Sequence, residues 1–202
     1  MDLLHQQLKE YHLILASASP RRISLLTELN LTFDCCPLDV EEVFPDHLKG
    51  HDVARFLARL KAASFPLERL TDKSILITAD TIVCLNDEIL GKPNDREHAI
   101  VMLSKLSGQM HKVITGVCLR SLNKEFIFSN ETDVSFCTLS EDEIVYYVDH
   151  FHPFDKAGAY GIQEWIGYIG IEKIVGSYFN VMGLPVQQLY QELGKFIMHD
   201  QL

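Results

Sequence analysis

Residues 13–22 read LILASASPRR: an apolar run, then serines, a proline and two arginines. Leu13-Ile14-Leu15-Ala16 has the pattern of a short strand buried on both faces. Ser19 is a favoured helix N-cap and Pro20 a favoured first helical residue, so a helix is predicted to begin there. Ile23, Leu26 and Leu29 continue it, and Asn30 ends it. A buried strand feeding straight into a helix is the opening unit of an α/β fold.

Working outward, Phe33–Pro45 is turn-rich and acidic. Asp52 is predicted to cap a second helix, with Val53, Phe56, Leu57 and Leu60 on one apolar face. SILITADTIVCL (74–85) reads as one or two buried strands, interrupted only by Asp80 and its threonines. Gly91-Lys92-Pro93 is a loop, and Asp95–Leu106 an amphipathic helix closed by Gly108. His111–Arg120 and Lys124–Leu139 read as an antiparallel pair turning at Ser121–Asn123. Ser140 and Glu143 form a capping box for the next helix. Asp155–Gly170 is Gly-rich and aromatic, which suggests a loop over a site. Val186, Leu189, Tyr190 and Leu193 make a last helix, capped by Gly194. Strands and helices interleave throughout, without repeats or an obvious linker.

The 202 residues are 47% hydrophobic and 23% charged, which excludes disordered and low-complexity classes. Eighteen Lys+Arg against 28 Asp+Glu give a formal charge of −10, so non-specific coating of nucleic acid is excluded. A polyanionic ligand would need the few cations gathered into one pocket. The five cysteines include no C-x-x-C pair, which favours reduced core thiols in a cytosolic protein over a disulfide or zinc framework. No apolar run approaches a membrane span. Ala16-Ser17-Ala18 resembles a cleavage site, but the run before it is too short for a signal peptide.

Several residues carry chemistry. Ser17, Ser19, Arg21 and Arg22 surround a helix N-terminus, whose unpaired N–H groups and dipole favour an anion. Arginine suits phosphate because its planar fork binds two oxygens; the alternative is a solvated first turn. Asp80, in an apolar run, is either a site carboxylate or a strand-end cap. Lys92 on its loop and Lys61 at a helix edge have ordinary solvated or snorkelling readings. His150 and His152 have a metal-compatible spacing without an evident third ligand. Cys35-Cys36 suits packing better than redox chemistry, and Trp165 is either lid or core. P-loop, Rossmann and zincin motifs are absent.

LASASPRR (15–22), VEE (40–42), ARLKAA (58–63), ADTIV (79–83), GKP (91–93), LSGQMHKVITGV (106–117), DKAGAYGIQE (155–164) and GSYFNVMGLP (176–185) occur in an order that resembles the Maf family of nucleoside triphosphate pyrophosphatases. The resemblance implies an elongated, two-lobed α/β fold with a central mixed sheet, related to the inosine triphosphate pyrophosphatases. Residues 13–202 would form one domain with an interlobe cleft, and residues 1–12 an extension without an assigned role. It implies a cytoplasmic enzyme, expected as a homodimer, that cleaves a nucleoside triphosphate to monophosphate and pyrophosphate with a divalent cation, Mg or Mn. Carried over by position, Asp80 would be the proton acceptor, with Lys61 and Lys92 beside it. Ser17, Arg21 and Arg22 would hold phosphates, and Glu42 with Asp80 would hold the metal. Arg22, Thr81 and Gln163 match the branch acting on dTTP and UTP rather than that acting on 7-methyl-GTP. A second reading, from the family's association with septum formation, is a nucleotide-binding regulator of division with little turnover.

Overall fold

Residues 3–198 are described by a computed structural model. The strands are β1 (His12–Leu15), β2 (Phe33–Cys35), β3 (Ser74–Leu85), β4 (Glu88–Leu90), β5 (Met110–Arg120), β6 (Glu125–Phe136) and β7 (Ile171–Val175). The helices are α1 (Leu4–Gln7), α2 (Pro20–Glu28), α3 (His51–Ala63), α4 (Arg96–Leu106), α5 (Glu141–Phe151), α6 (Trp165–Gly170), α7 (Tyr178–Met182) and α8 (Val186–Met198). All seven strands share one mixed sheet in the order β2-β1-β3-β5-β6-β7, with β4 paired to β3. β1 runs parallel to β2 and β3, whereas β4 and β7 are antiparallel to their partners. The α/β class and the central mixed sheet expected from the sequence are therefore present.

The chain divides into two compact units, with boundaries inside β3 between Asp80 and Thr81, inside β5 between Ile114 and Thr115, and inside β6 between Asn130 and Glu131. The first unit holds the chain up to Asp80, Thr115–Asn130 and everything from Gly183 onward. One of its apolar clusters joins Ile14, Ala58, Ala62, Phe65, Leu70, Leu76 and Cys118. In this unit α3 lies unusually close to β5: a Cβ on Gly116 would stand 2.1 Å from the Ala54 carbonyl oxygen. Only glycine lets backbone meet backbone there. The second unit, Thr81–Ile114 with Glu131–Met182, packs α4 against α5 over a core that includes Leu103, Leu106, Phe136, Tyr147 and Ile162.

Local signals hold where they are strongest. Asp95 caps α4 by accepting from the His98 N–H at 2.8 Å, and the Ser140–Glu143 capping box is formed. Several expectations need correction. Gly50 (φ 47), not Asp52, occupies the N-cap of α3; Asp52 sits inside the helix and pairs with Arg55 at 2.7 Å. The buried face of α3 runs through Val53, Ala54, Leu57, Ala58 and Ala62, leaving Phe56 and Leu60 only half-buried. Gly194 caps nothing, because Phe196 and Ile197 continue the apolar face of α8 and are buried. Tertiary burial outweighs the roughly 1 kcal/mol that an interior glycine costs a helix. The leader also has a structural place: Leu4 and Leu8 are buried in the first unit, and the Leu4 N–H donates to the Tyr190 hydroxyl at 3.3 Å. Phe33–Cys35, read as part of a turn-rich stretch, is an edge strand.

Candidate active site

The phosphate-side candidates lie in the first unit. β1 is apolar because both of its faces are covered, and Leu13, Ile14 and Leu15 are all within 2% of full burial. The chain leaves it through buried Ser17, whose Oγ accepts from the Ser19 N–H at 3.2 Å. Ser19 caps α2 by backbone position alone, with Pro20 following, and the first turn contains no acid. Arg21 and Arg22 therefore enter that turn against the helix dipole, a placement that an anion would offset. Arg22 is not a solvated side chain. Its Nε donates to the Gly183 carbonyl at 2.8 Å, and burial lowers its pKa while Asp80 and Glu42 act in the opposite direction.

The second part of this site follows from how α3 docks. The Thr78 hydroxyl donates to the Ala58 carbonyl at 2.7 Å, and the Arg120 guanidinium to the Ala62 carbonyl at 2.9 Å. Residues two apart on a strand share a face, as do residues three apart on a helix. Asp80 is two beyond Thr78, and Lys61 three beyond Ala58, so the same docking brings carboxylate and ammonium together. Lys61 Nζ donates to Asp80 Oδ1, and it lies 2.8 Å from Glu42 Oε1. The Lys61 side chain is 14% exposed and that of Asp80 7%. The strand-end cap for Asp80 and the snorkelling reading of Lys61 are both excluded by these contacts. Burial raises the Asp80 pKa, against the opposing charges of Lys61 and Arg22. A carboxylate with heightened proton affinity beside two cationic side chains, Lys61 and Arg22, can accept a proton from water next to a bound polyanion.

Glu42 reaches this cluster through Lys61, although it is exposed, as is its neighbour Glu41. Glu42 and Asp80 each place one carboxylate oxygen on Lys61 Nζ, and as hard oxygen donors the two carboxylates suit Mg²⁺ or Mn²⁺ completed by phosphate oxygens and water. Among the described residues no group of three or more His, Cys, Asp and Glu could hold a metal. His150 instead engages the Tyr146 carbonyl at 2.8 Å, and it stacks on that ring.

The second unit carries the other three candidates. Thr81 is half-buried in β3, and Lys92 is exposed on the loop after β4. That loop is tied down where the Gly91 carbonyl accepts from the Gly158 N–H at 3.0 Å. Gln163 is half-buried, and its buried Oε1 has no partner among the described residues. The segment expected to be a loop over a site is core in its middle and helical at its end: Gly158, Ala159, Tyr160, Gly161 and Ile162 are buried, and Trp165, which opens α6, packs against the same cluster. Small residues let the chain fold tightly here, and the aromatics fill the interior it creates. Sequence reasoning missed Tyr147, Lys156 and Glu164 of this unit, which form a buried polar network. Three charges, Asp155, Lys156 and Glu164, in a segment of glycines, alanines and aromatics were the available signal, the same one that marked Asp80.

Cys84 and Cys118 are buried free thiols, with burial pushing their pKa values up to about 11 and about 12. Cys35 is exposed and outside the expected core class. Among the described residues no helix is long and apolar enough to cross a membrane.

A family model described as "Maf-like protein" matches residues 12–196. A Bacteroides fragilis protein named dTTP/UTP pyrophosphatase is 53% identical over 187 residues, 92% of this chain and 96% of that protein. A Parabacteroides distasonis protein of the same name is 50% identical over 192 residues, 95% of this chain and 99% of its own. Among solved structures, the Staphylococcus aureus Ham1 protein aligns with a TM-score of 0.53 at 15% identity, covering 91% of this chain and 98% of its own. That likeness concerns the fold.

Proposed function

Since this chain belongs to the Maf family, we propose that it is a pyrophosphatase that converts UTP and dTTP to their monophosphates and pyrophosphate. The observation that carries the reading is the Glu42–Lys61–Asp80 cluster beside Arg22, which gathers cations around a buried carboxylate in a protein of net charge −10. A triphosphate brings about four negative charges, and an acidic protein repels it unless cations converge locally.

In this reading Arg21, Arg22, Lys61 and Lys92 bind the phosphates, with Ser17 at the same helix corner. Asp80 orients a water and takes its proton as the water oxygen bonds to the α-phosphorus. The bond from that phosphorus to the oxygen bridging to the β-phosphorus breaks, and pyrophosphate leaves with the electron pair. The cationic side chains stabilise the charge that develops on it. Glu42 and Asp80 would hold a divalent cation, which supplies further neutralisation of phosphate charge. Gln163 and Thr81 would read the base: uracil and thymine present an N3–H donor between two carbonyl acceptors, and Gln163 Oε1 is an acceptor without a partner among the described residues.

The test is pyrophosphate release from UTP, dTTP, CTP, GTP and 7-methyl-GTP with Mg²⁺ or Mn²⁺. Preference for UTP and dTTP supports the reading. Tight nucleotide binding without turnover of any of them would reassign the chain as a binding protein.

A further inference from the structure

The second unit contains a buried charge network that the reaction does not use. Lys156 is 8% exposed, and its Nζ lies 2.7 Å from Asp155 Oδ1 and 3.2 Å from Glu164 Oε1. The other oxygen of Glu164 accepts from the hydroxyl of Tyr147, a fully buried residue. The same hydroxyl accepts from the Gly161 N–H at 3.0 Å. Gly161 is pressed so closely on the Glu164 carboxylate that a Cβ would lie 2.8 Å from its carbon. Burying such groups is a poor route to stability, because desolvation consumes most of the attraction gained. What the network does accomplish is to define position.

The position it defines is that of residues 158–164. Gly158 and Ala159 both adopt left-handed backbone, at φ 68 and φ 58, a conformation that a non-glycine residue holds only when its surroundings enforce it. The Gly158 N–H ties this stretch to Gly91, next to Lys92. Glu164 and Gly161 close it at the other end, where the Glu164 N–H donates to the Gly161 carbonyl at 3.0 Å. Gln163 lies inside that closed turn, and its buried Oε1 has no partner among the described residues. An amide that could rotate would offer its NH₂ to the N3 acceptor of cytosine as readily as its oxygen to the N3–H of uracil. Discrimination therefore needs the amide held in one place.

We propose that Lys156, Glu164 and Tyr147 are positioning residues for base selection, holding the 161–164 turn so that Gln163 presents a fixed acceptor. This inference rests on the pyrophosphatase reading and on Gln163 facing the base. None of the three residues needs to touch the nucleotide.

The experiment compares the UTP:CTP ratio of kcat/KM in the parent, Tyr147→Phe, Glu164→Gln, Gln163→Ala and the Tyr147→Phe/Gln163→Ala double variant. Tyr147→Phe deletes one oxygen and leaves the ring packed, and it is expected to lower the ratio by about five-fold or more. Glu164→Gln keeps the shape and carries the same test if the tyrosine variant melts early. In the Gln163→Ala background, Tyr147→Phe should leave the ratio where Gln163→Ala put it, a coupling that a merely structural role would not give. An unchanged ratio in folded Tyr147→Phe and Glu164→Gln overturns the inference, and so does an equal fall with and without Gln163. A parent without UTP turnover removes the pyrophosphatase reading itself. A Gln163→Ala protein with the parent's ratio removes the base-facing assignment and the inference with it. A collapsed ratio in Gln163→Ala alone removes the network's role only.

Discussion

Asp80→Asn separates what the buried carboxylate does for catalysis from what it does for the fold. A pair of opposite unit charges at about 4 Å attracts by about 4 kcal/mol at an effective dielectric of ~20. Taking a carboxylate out of water costs several kcal/mol. The raised Asp80 pKa, with burial as its leading cause and Lys61 and Arg22 opposing it, places the balance on the side of desolvation. An acid whose pKa is raised in the folded state destabilises the fold in its ionised form, and this penalty grows as pH rises from the ordinary carboxylate pKa toward the raised folded value, above which it is constant. Asparagine removes the penalty, and Lys61 keeps Glu42 at 2.8 Å. The variant should therefore melt within about 5 °C of the parent or above it, and its relative stability should improve as pH rises. Turnover should fall ~10²–10⁴-fold, or about 3–5 kcal/mol of transition-state stabilisation. The assays are pyrophosphate release from UTP and dTTP and thermal melts across pH. A folded variant with kcat/KM within about two-fold of the parent would refute the catalytic role, and a Tm more than about 10 °C lower would refute the burial-dominated balance. Recovery of rate at high Mg²⁺ or Mn²⁺ would identify the lost function as metal ligation.

Gly116→Ala should lower stability by about 3 kcal/mol, roughly 6–12 °C in Tm, because its Cβ meets the Ala54 carbonyl; it should also lower turnover by displacing α3 and Lys61. His111 is held neutral, its pKa lowered to about 4 by burial, with Nε2 2.7 Å from the Tyr160 hydroxyl and Nδ1 unpartnered. Its stabilising contribution is complete above pH 6.5 and is lost as pH falls through about 4, so denaturant titrations should show about 2 kcal/mol less stability from this group at pH 5 than at pH 7, a slope that His111→Gln removes. Arg21→Ala should weaken UTP, CTP and GTP by a common factor and flatten the salt dependence of binding. Loss confined to one base would move Arg21 away from the phosphates.

Sequence alone determined those elements whose causes lie a few residues apart. β1 and β3 are legible because buried strands need uninterrupted apolar residues, α4 and α5 because Asp95 and Ser140 satisfy N–H groups three residues on, and α2 because Ser19 and Pro20 are suited to its first turn. Motif order also brought Glu42, Lys61 and Asp80 forward as candidates. Their convergence could not be read from spacing, since it depends on α3 docking on β3 and β5, which a hydrogen bond from Thr78 to Ala58 and bare backbone at Gly116 permit. The failures have the same origin. Gly194 reads as a helix stop until Phe196 and Ile197 find a core, and 155–170 reads as a loop over a site until its glycines are packed and Lys156 meets Glu164. Local rules weigh residues against water and their near neighbours; burial and charge pairing depend on groups far away in the chain, and only the tertiary structure decides which of them meet.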